Sequence, residues 1–192
     1  MIEVTAAPAI PEDFLALILD HVKVETGDEE DAFGDLVEAY AEAAIARVEA
    51  MSGRMLFTRT LRLTVDAFGT ALELPASPVE SVTSVTYTDA DGASQTLAGA
   101  AYALVERTET PKLYPAFGTT WPTVRDFPGS IVVVFLAGYG DETADVPAPL
   151  RQAVLQTVAD WMRFGGSVTM TATSELPESA FRACLPFRRE WA

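Results

Sequence analysis

At Met55 the hydrophobic period of this chain changes from helical to strand-like, and after Gly140 it changes back. Upstream, AFGDLVEAYAEAAIARVEAMSGR repeats Phe33, Leu36, Val37, Tyr40, Ala44, Val48 and Met51 at helical spacing, and Gly53 is placed to close the C-terminus. Immediately downstream, FTRTLRLTVDAF sets Phe57, Arg59, Leu61, Leu63 and Val65 against Thr58, Thr60, Arg62, Thr64 and Asp66. A period of two puts those two sets on opposite faces of a strand. ALELP, SVTSVTYTDADGASQTL and AYALVE add further short strands, with Asp91-Gly92 as a hairpin signal because the pair tolerates positive φ. IVVVFLAGYG ends the series as a run without polar alternation, which predicts a strand buried on both faces. VPAPLRQAVLQTVADWMRFGG then resumes helical spacing through Leu150, Val154, Val158, Trp161 and Met162, opened by Pro and closed by Gly165 and Gly166.

The expected fold class is therefore α+β: a helical layer with an inserted antiparallel β domain. Two N-terminal helices, near 11–24 and 30–52, occupy residues 1–54. The β domain spans 55–140, and a C-terminal helix within 141–166, near 147–164, packs on the N-terminal pair. Residues 167–192 show no clean period, carry Pro177 and Pro186, and keep Phe181, Leu185, Phe187 and Trp191 among three arginines. Apolar side chains of that size are poorly accommodated on a monomer surface. The segment is expected to lack order in an isolated subunit and to act as a docking tail. Its candidate contact residues are Phe181, Arg182, Leu185, Phe187, Arg188, Arg189 and Trp191.

Charge narrows the function classes. The net charge is -15 over 192 residues, of which residues 1–53 carry -11, 54–150 carry -5 and 151–192 carry +1. Such a field repels nucleic acid and anionic membrane, so sequence-specific DNA binding is not expected. One cysteine, Cys184, excludes an intrachain disulfide, and with the single histidine, His21, it cannot complete a Cys/His zinc site. The start, MIEVTAAPAIPEDF, has neither a basic nor an apolar leader region, and no apolar run approaches a bilayer span. Synthesis and folding in the cytoplasm are expected.

Motifs for chemistry are thin. Gly138-Tyr139-Gly140 lacks the third glycine of a dinucleotide fingerprint and the Gly-Lys-Ser/Thr of a phosphate loop, and the acids behind it would repel phosphate. The expected role is a strand-to-helix turn. His21 has no nucleophile motif to serve. The carboxylates from Asp28 to Asp31 lack the spacing of a calcium loop and are read as a solvated run. Cys184 is read as a small apolar contact, and Trp121 and Trp161 as core. No catalytic, cofactor or metal residue is assigned. Two other classes remain open on the residues alone: a metal-dependent hydrolase using acidic side chains, and a small-ligand binding module.

The order of the motifs carries more than any one of them. An acidic helix ending in SGR, then FTRTLRLTVDAF, ALELPASPVESVTSVTYTDADGASQTL, YPAFGTTWPTVRDFPGSIVVVFLAGYGDE and VPAPLRQAVLQTVADW, over about residues 28–164, resembles the head-tail connector (adaptor) proteins of tailed bacteriophages and gene transfer agents. The resemblance implies a non-enzymatic virion structural protein with no cofactor. It implies a homo-oligomeric ring, commonly of twelve copies, in the particle neck between the portal protein and a tail-side connector or stopper. DNA would pass through that ring without specific binding, helices would form its wall, and a C-terminal segment would contact the portal.

Overall fold

A computed structural model of the chain describes residues 1–5, 10–22, 30–106, 110–164 and 176–188. The chain divides into two compact units, Met1–Pro8 with Thr58–Tyr139, and Ala9–Phe57 with Gly140–Ala192. The architecture is α+β, with helices and antiparallel sheets.

The first unit holds eight described strands: β1 (Ile2–Val4), β2 (Arg59–Val65), β3 (Leu72–Glu73), β4 (Val79–Thr88), β5 (Ser94–Thr96), β6 (Tyr102–Val105), β7 (Lys112–Pro115) and β8 (Ile131–Ala137). They form a five-stranded sheet in the order β1-β2-β8-β4-β5 and a three-stranded sheet in the order β3-β7-β6. Alternation in β2 places Leu61 opposite Phe135 and Leu63 opposite Val133 on the central strand β8, and all four side chains are buried. β8 itself alternates, with Ile131, Val133, Phe135 and Ala137 buried and Val132, Val134 and Leu136 half-buried. The expectation of a strand buried on both faces is thus corrected: β8 is central in its sheet, but one face is buried and the other only partly covered.

β4 changes register against β8 between Val79 and Ser81 and again between Val82 and Ser84. Such irregularities bend a strand and break simple alternation, which is why VESVTSVTYT reads less cleanly than β2. The β4–β5 hairpin turns where Asp91-Gly92 predicts. Gly92 has φ +87°, and the Asp89 carboxylate accepts from the backbone N–H of Asp91 and Ala93 at 3.1 and 2.8 Å. Across β3 and β7, Lys112 Nζ meets Glu73 Oε1 at 2.6 Å. β1 has no counterpart among the expected elements: residues 2–4 join the sheet beside β2, so the helical region does not start at residue 1.

The second unit contains α1 (Glu12–Val22), α2 (Glu30–Ser52), α3 (Ala148–Phe164) and α4 (Glu178–Cys184). Phe14 and Ile18 of α1 are buried, one turn apart, and the Phe14 ring meets Phe57 edge-on at 5.4 Å. α2 buries Val37, Ala41, Ala44, Ile45 and Val48. Leu36, expected on that stripe, is 41% exposed on another face. Leu150, Val154 and Val158 of α3 are buried, and Trp161 meets Tyr40 of α2 edge-on at 6.1 Å.

Sequence pattern and structure part over the tail. Residues 178–187 are not an irregular arm: α4 is followed by a 3-10 turn at Leu185–Phe187 and packs on α2 and α3, with Ala180 and Cys184 buried. The seven residues of α4 hide two small side chains instead of a large apolar stripe, so no helical period stands out.

Candidate functional site

The junction in Gly138-Tyr139-Gly140 is architecture. Gly138 and Gly140 have φ of +153° and +155°, a region L side chains rarely enter. Gly138 N–H donates to the Pro78 carbonyl at 3.0 Å. A Cβ on Gly140 would collide with the Asp145 side chain, whose Oδ2 accepts from Glu142 N–H at 3.1 Å and steadies the turn before α3. The backbone is closed against a carboxylate, so it offers no cradle for phosphate. In the Trp-Pro loop Trp121 is half-buried: it stacks on Phe68 at 4.5 Å with planes 6° apart, and Tyr87 meets Phe68 edge-on.

Groups with chemical potential do not converge. His21 is exposed in the last turn of α1. Cys184 is buried, and burial pushes its thiol up to about 11, the opposite of what a nucleophile needs. Among the described residues no three His, Cys, Asp or Glu side chains gather as a metal site. Among them, too, no helix is long and apolar enough to cross a membrane. The carboxylates of Asp28 and Glu29 lie outside the described residues.

What the structure does assemble is a surface at the C-terminal end. Phe181 and Phe187 are half-buried, while Arg182, Leu185 and Arg188 are exposed. Arg182 pairs with Glu178 at 2.6 Å one turn earlier, with both side chains more than 70% exposed. Such a pair contributes little to stability and leaves Arg182 available to another acid. Arg189 and Trp191 lie outside the described residues.

Arg54 holds this segment in place, a role that no pattern in the sequence signals. Its Nε donates to the Phe187 carbonyl at 3.1 Å. Arg54 is itself set by the end of α2: Gly53, at φ +68°, closes the helix by donating to the Glu49 carbonyl at 2.8 Å, and Ser52 Oγ accepts from Arg54 N–H at 3.2 Å. The buried Glu49 carboxylate then accepts from Leu56 N–H at 2.7 Å. The only trace of this in the sequence is the SGR triplet at the end of α2.

On the outside of α2, Asp35, Glu38 and Glu42 are exposed at spacings of three and four, beside Leu36, Ala39 and Ala43. An acidic lane and a small apolar lane therefore run together along one helix.

No protein-family model and no curated protein matches the chain. Solved structures do. A chain from the neck of an empty gene transfer agent particle, computed with C6 symmetry, superposes with a TM-score of 0.81 at 25% identity, covering 100% of this chain and 97% of its own. Chains from the virion of a native gene transfer agent particle, and from the neck of a native particle computed with C12 symmetry, give TM-scores of 0.78 and 0.76 at 25% and 26% identity with the same coverage. Over its whole length the chain has the fold of a gene transfer agent neck protein. The resemblance to head-tail connectors drawn from motif order is borne out, and it extends beyond residues 28–164 to α1 and α4. A likeness of this extent is to a virion structural component of the neck.

Proposed function

We propose that the chain is a structural subunit of the head-tail connector in a phage-like particle, without catalytic activity, and that copies of it close into a dodecameric ring between the portal and a tail-side connector or stopper. The observation that carries this is the full-length match to subunits of necks reconstructed with C6 and C12 symmetry. DNA passes through the ring without being gripped. A basic lumen would exchange counterions for phosphates and hold the duplex, whereas an acidic wall does not. The charge of -11 in residues 1–53 fits such a wall. The segment from Phe181 to Arg188, with Arg189 and Trp191 beyond it, is the part we assign to docking, on the portal or on a neighbouring subunit.

Mass measurement of the purified protein, alone and with its cognate portal, tests the reading. A closed assembly of about twelve subunits, ring-shaped by electron microscopy, is expected; a chain that stays monomeric in both mixtures would refute it. Saturable binding of a small ligand by the monomer, or hydrolysis abolished by a chelator, would support the rival classes.

A further inference from the structure

Arg182, Leu185 and Arg188 follow one another at intervals of three, across the last turn of α4 and the 3-10 turn behind it. Three residues per turn eclipse in a 3-10 helix, so Leu185 and Arg188 align, and Arg182 lies one helical turn before Leu185 on the same side. The result is an exposed stripe with an apolar centre, Leu185 at 44% exposure, flanked by two guanidinium groups. The Arg54 bond to the Phe187 carbonyl and the burial of Ala180 and Cys184 fix its backbone. The stripe is therefore presented preorganised, without the ordering cost that a loose arm would meet.

The same chain carries the complement. The outer face of α2 sets Asp35, Glu38 and Glu42 beside Leu36 and Ala39, acids next to an apolar lane with small side chains that allow close approach. Arg47 is exposed further along α2, so the match favours the N-terminal half of the face. In a cyclic assembly each subunit offers two different patches, one to each neighbour. An Arg-Leu-Arg stripe and an acid-apolar lane on one chain satisfy that requirement by charge.

We propose that the stripe Arg182-Leu185-Arg188 of one copy docks on the Asp35-Glu38-Glu42 face of α2 in the next copy, with Leu185 seated against Leu36 and Ala39. The proposal rests on the ring reading given above and names the receiving surface as a second copy of this chain. Arg182 exchanges its exposed partner Glu178 for an acid of the neighbour at little cost.

Two variants, Leu185→Cys and Ala39→Cys, carrying different tags, are mixed and oxidised mildly, both alone and on the cognate portal. The buried native Cys184 stays silent, as wild-type controls would confirm. A disulfide dimer containing both tags is expected in at least one of the two conditions. Arg182→Glu with Arg188→Glu is expected to weaken self-association at least about tenfold. Adding Asp35→Lys, Glu38→Lys and Glu42→Lys to the same chain is expected to recover most of it. Rings that form without the mixed dimer would overturn the proposal and leave the ring reading intact. So would a double Arg variant that assembles like the wild type but no longer co-sediments with portal, which would make the portal the receiving surface. Absence of any ring, alone or on portal, removes both readings, and the mass measurement separates that case from the others.

Discussion

Gly140 shows how much a single missing methyl group decides. With φ at +155° and the Asp145 side chain against it, an added Cβ meets both backbone strain and a steric collision. Gly140→Ala should cost about 1–3 kcal/mol, seen as a lowered thermal midpoint. Arg54 works in the opposite sense, by adding a bond. Arg54→Ala leaves the Phe187 carbonyl without its charged donor, and about 1–2 kcal/mol of local stability should go with it. Hydrogen exchange at Arg188, whose N–H donates to the Leu185 carbonyl at 3.2 Å, should then speed up, while amides in β8 keep their protection. Cys184 supplies a pH signature. Its folded thiol titrates near 11, above the unfolded value, so the folded chain keeps a proton that the unfolded chain has already released. The thiol's contribution is complete below about pH 8.5 and is lost as pH rises towards 11. Urea midpoints measured across that window should fall more steeply for the wild type than for Cys184→Ala.

Among the elements, those that bury large side chains at a regular period are legible in the sequence. α2, α3 and β2 lie close to where Val37, Val48, Leu150, Val158, Leu61 and Leu63 place them, because each repeats over at least two turns or three alternations. β1 and α4 leave no sequence signal, for physical reasons. Three residues cannot establish a period, and β1 owes its form to pairing with β2. α4 spans seven residues and is held by tertiary burial of Ala180 and Cys184, side chains too small to mark a face. The candidate surface was half legible. Arg182, Leu185 and Arg188 are exposed, but Phe187 contributes chiefly its carbonyl, and nothing short of the fold connects it with Arg54, 133 positions away. Since α4 covers parts of α2 and α3, it belongs to the core of the helical unit. Deleting residues 178–192 should therefore lower the thermal midpoint, on the order of 5 °C for a chain of this size, as well as impair assembly. An unchanged melt would show that α4 adds nothing to the fold.

For the molecule as a whole, charge and chain path set the behaviour. At a net charge of -15 the free protein should not retard duplex DNA in a mobility assay at about 0.1 M salt, and lowering the salt should not create binding, as it would for a basic protein. The path has a different consequence. The helical unit is made of Ala9–Phe57 and Gly140–Ala192, with about 80 residues of sheet between them. On the ribosome, α1 and α2 emerge first, yet α3 and α4, which cover their apolar faces, arrive only after all of β2 to β8 has been translated. At about 5–20 residues per second that is a wait of roughly 4–16 seconds. During it α1 and α2 have no α3 to pack on. During that wait the net charge of -11 in residues 1–53 opposes contact between one nascent chain and the next.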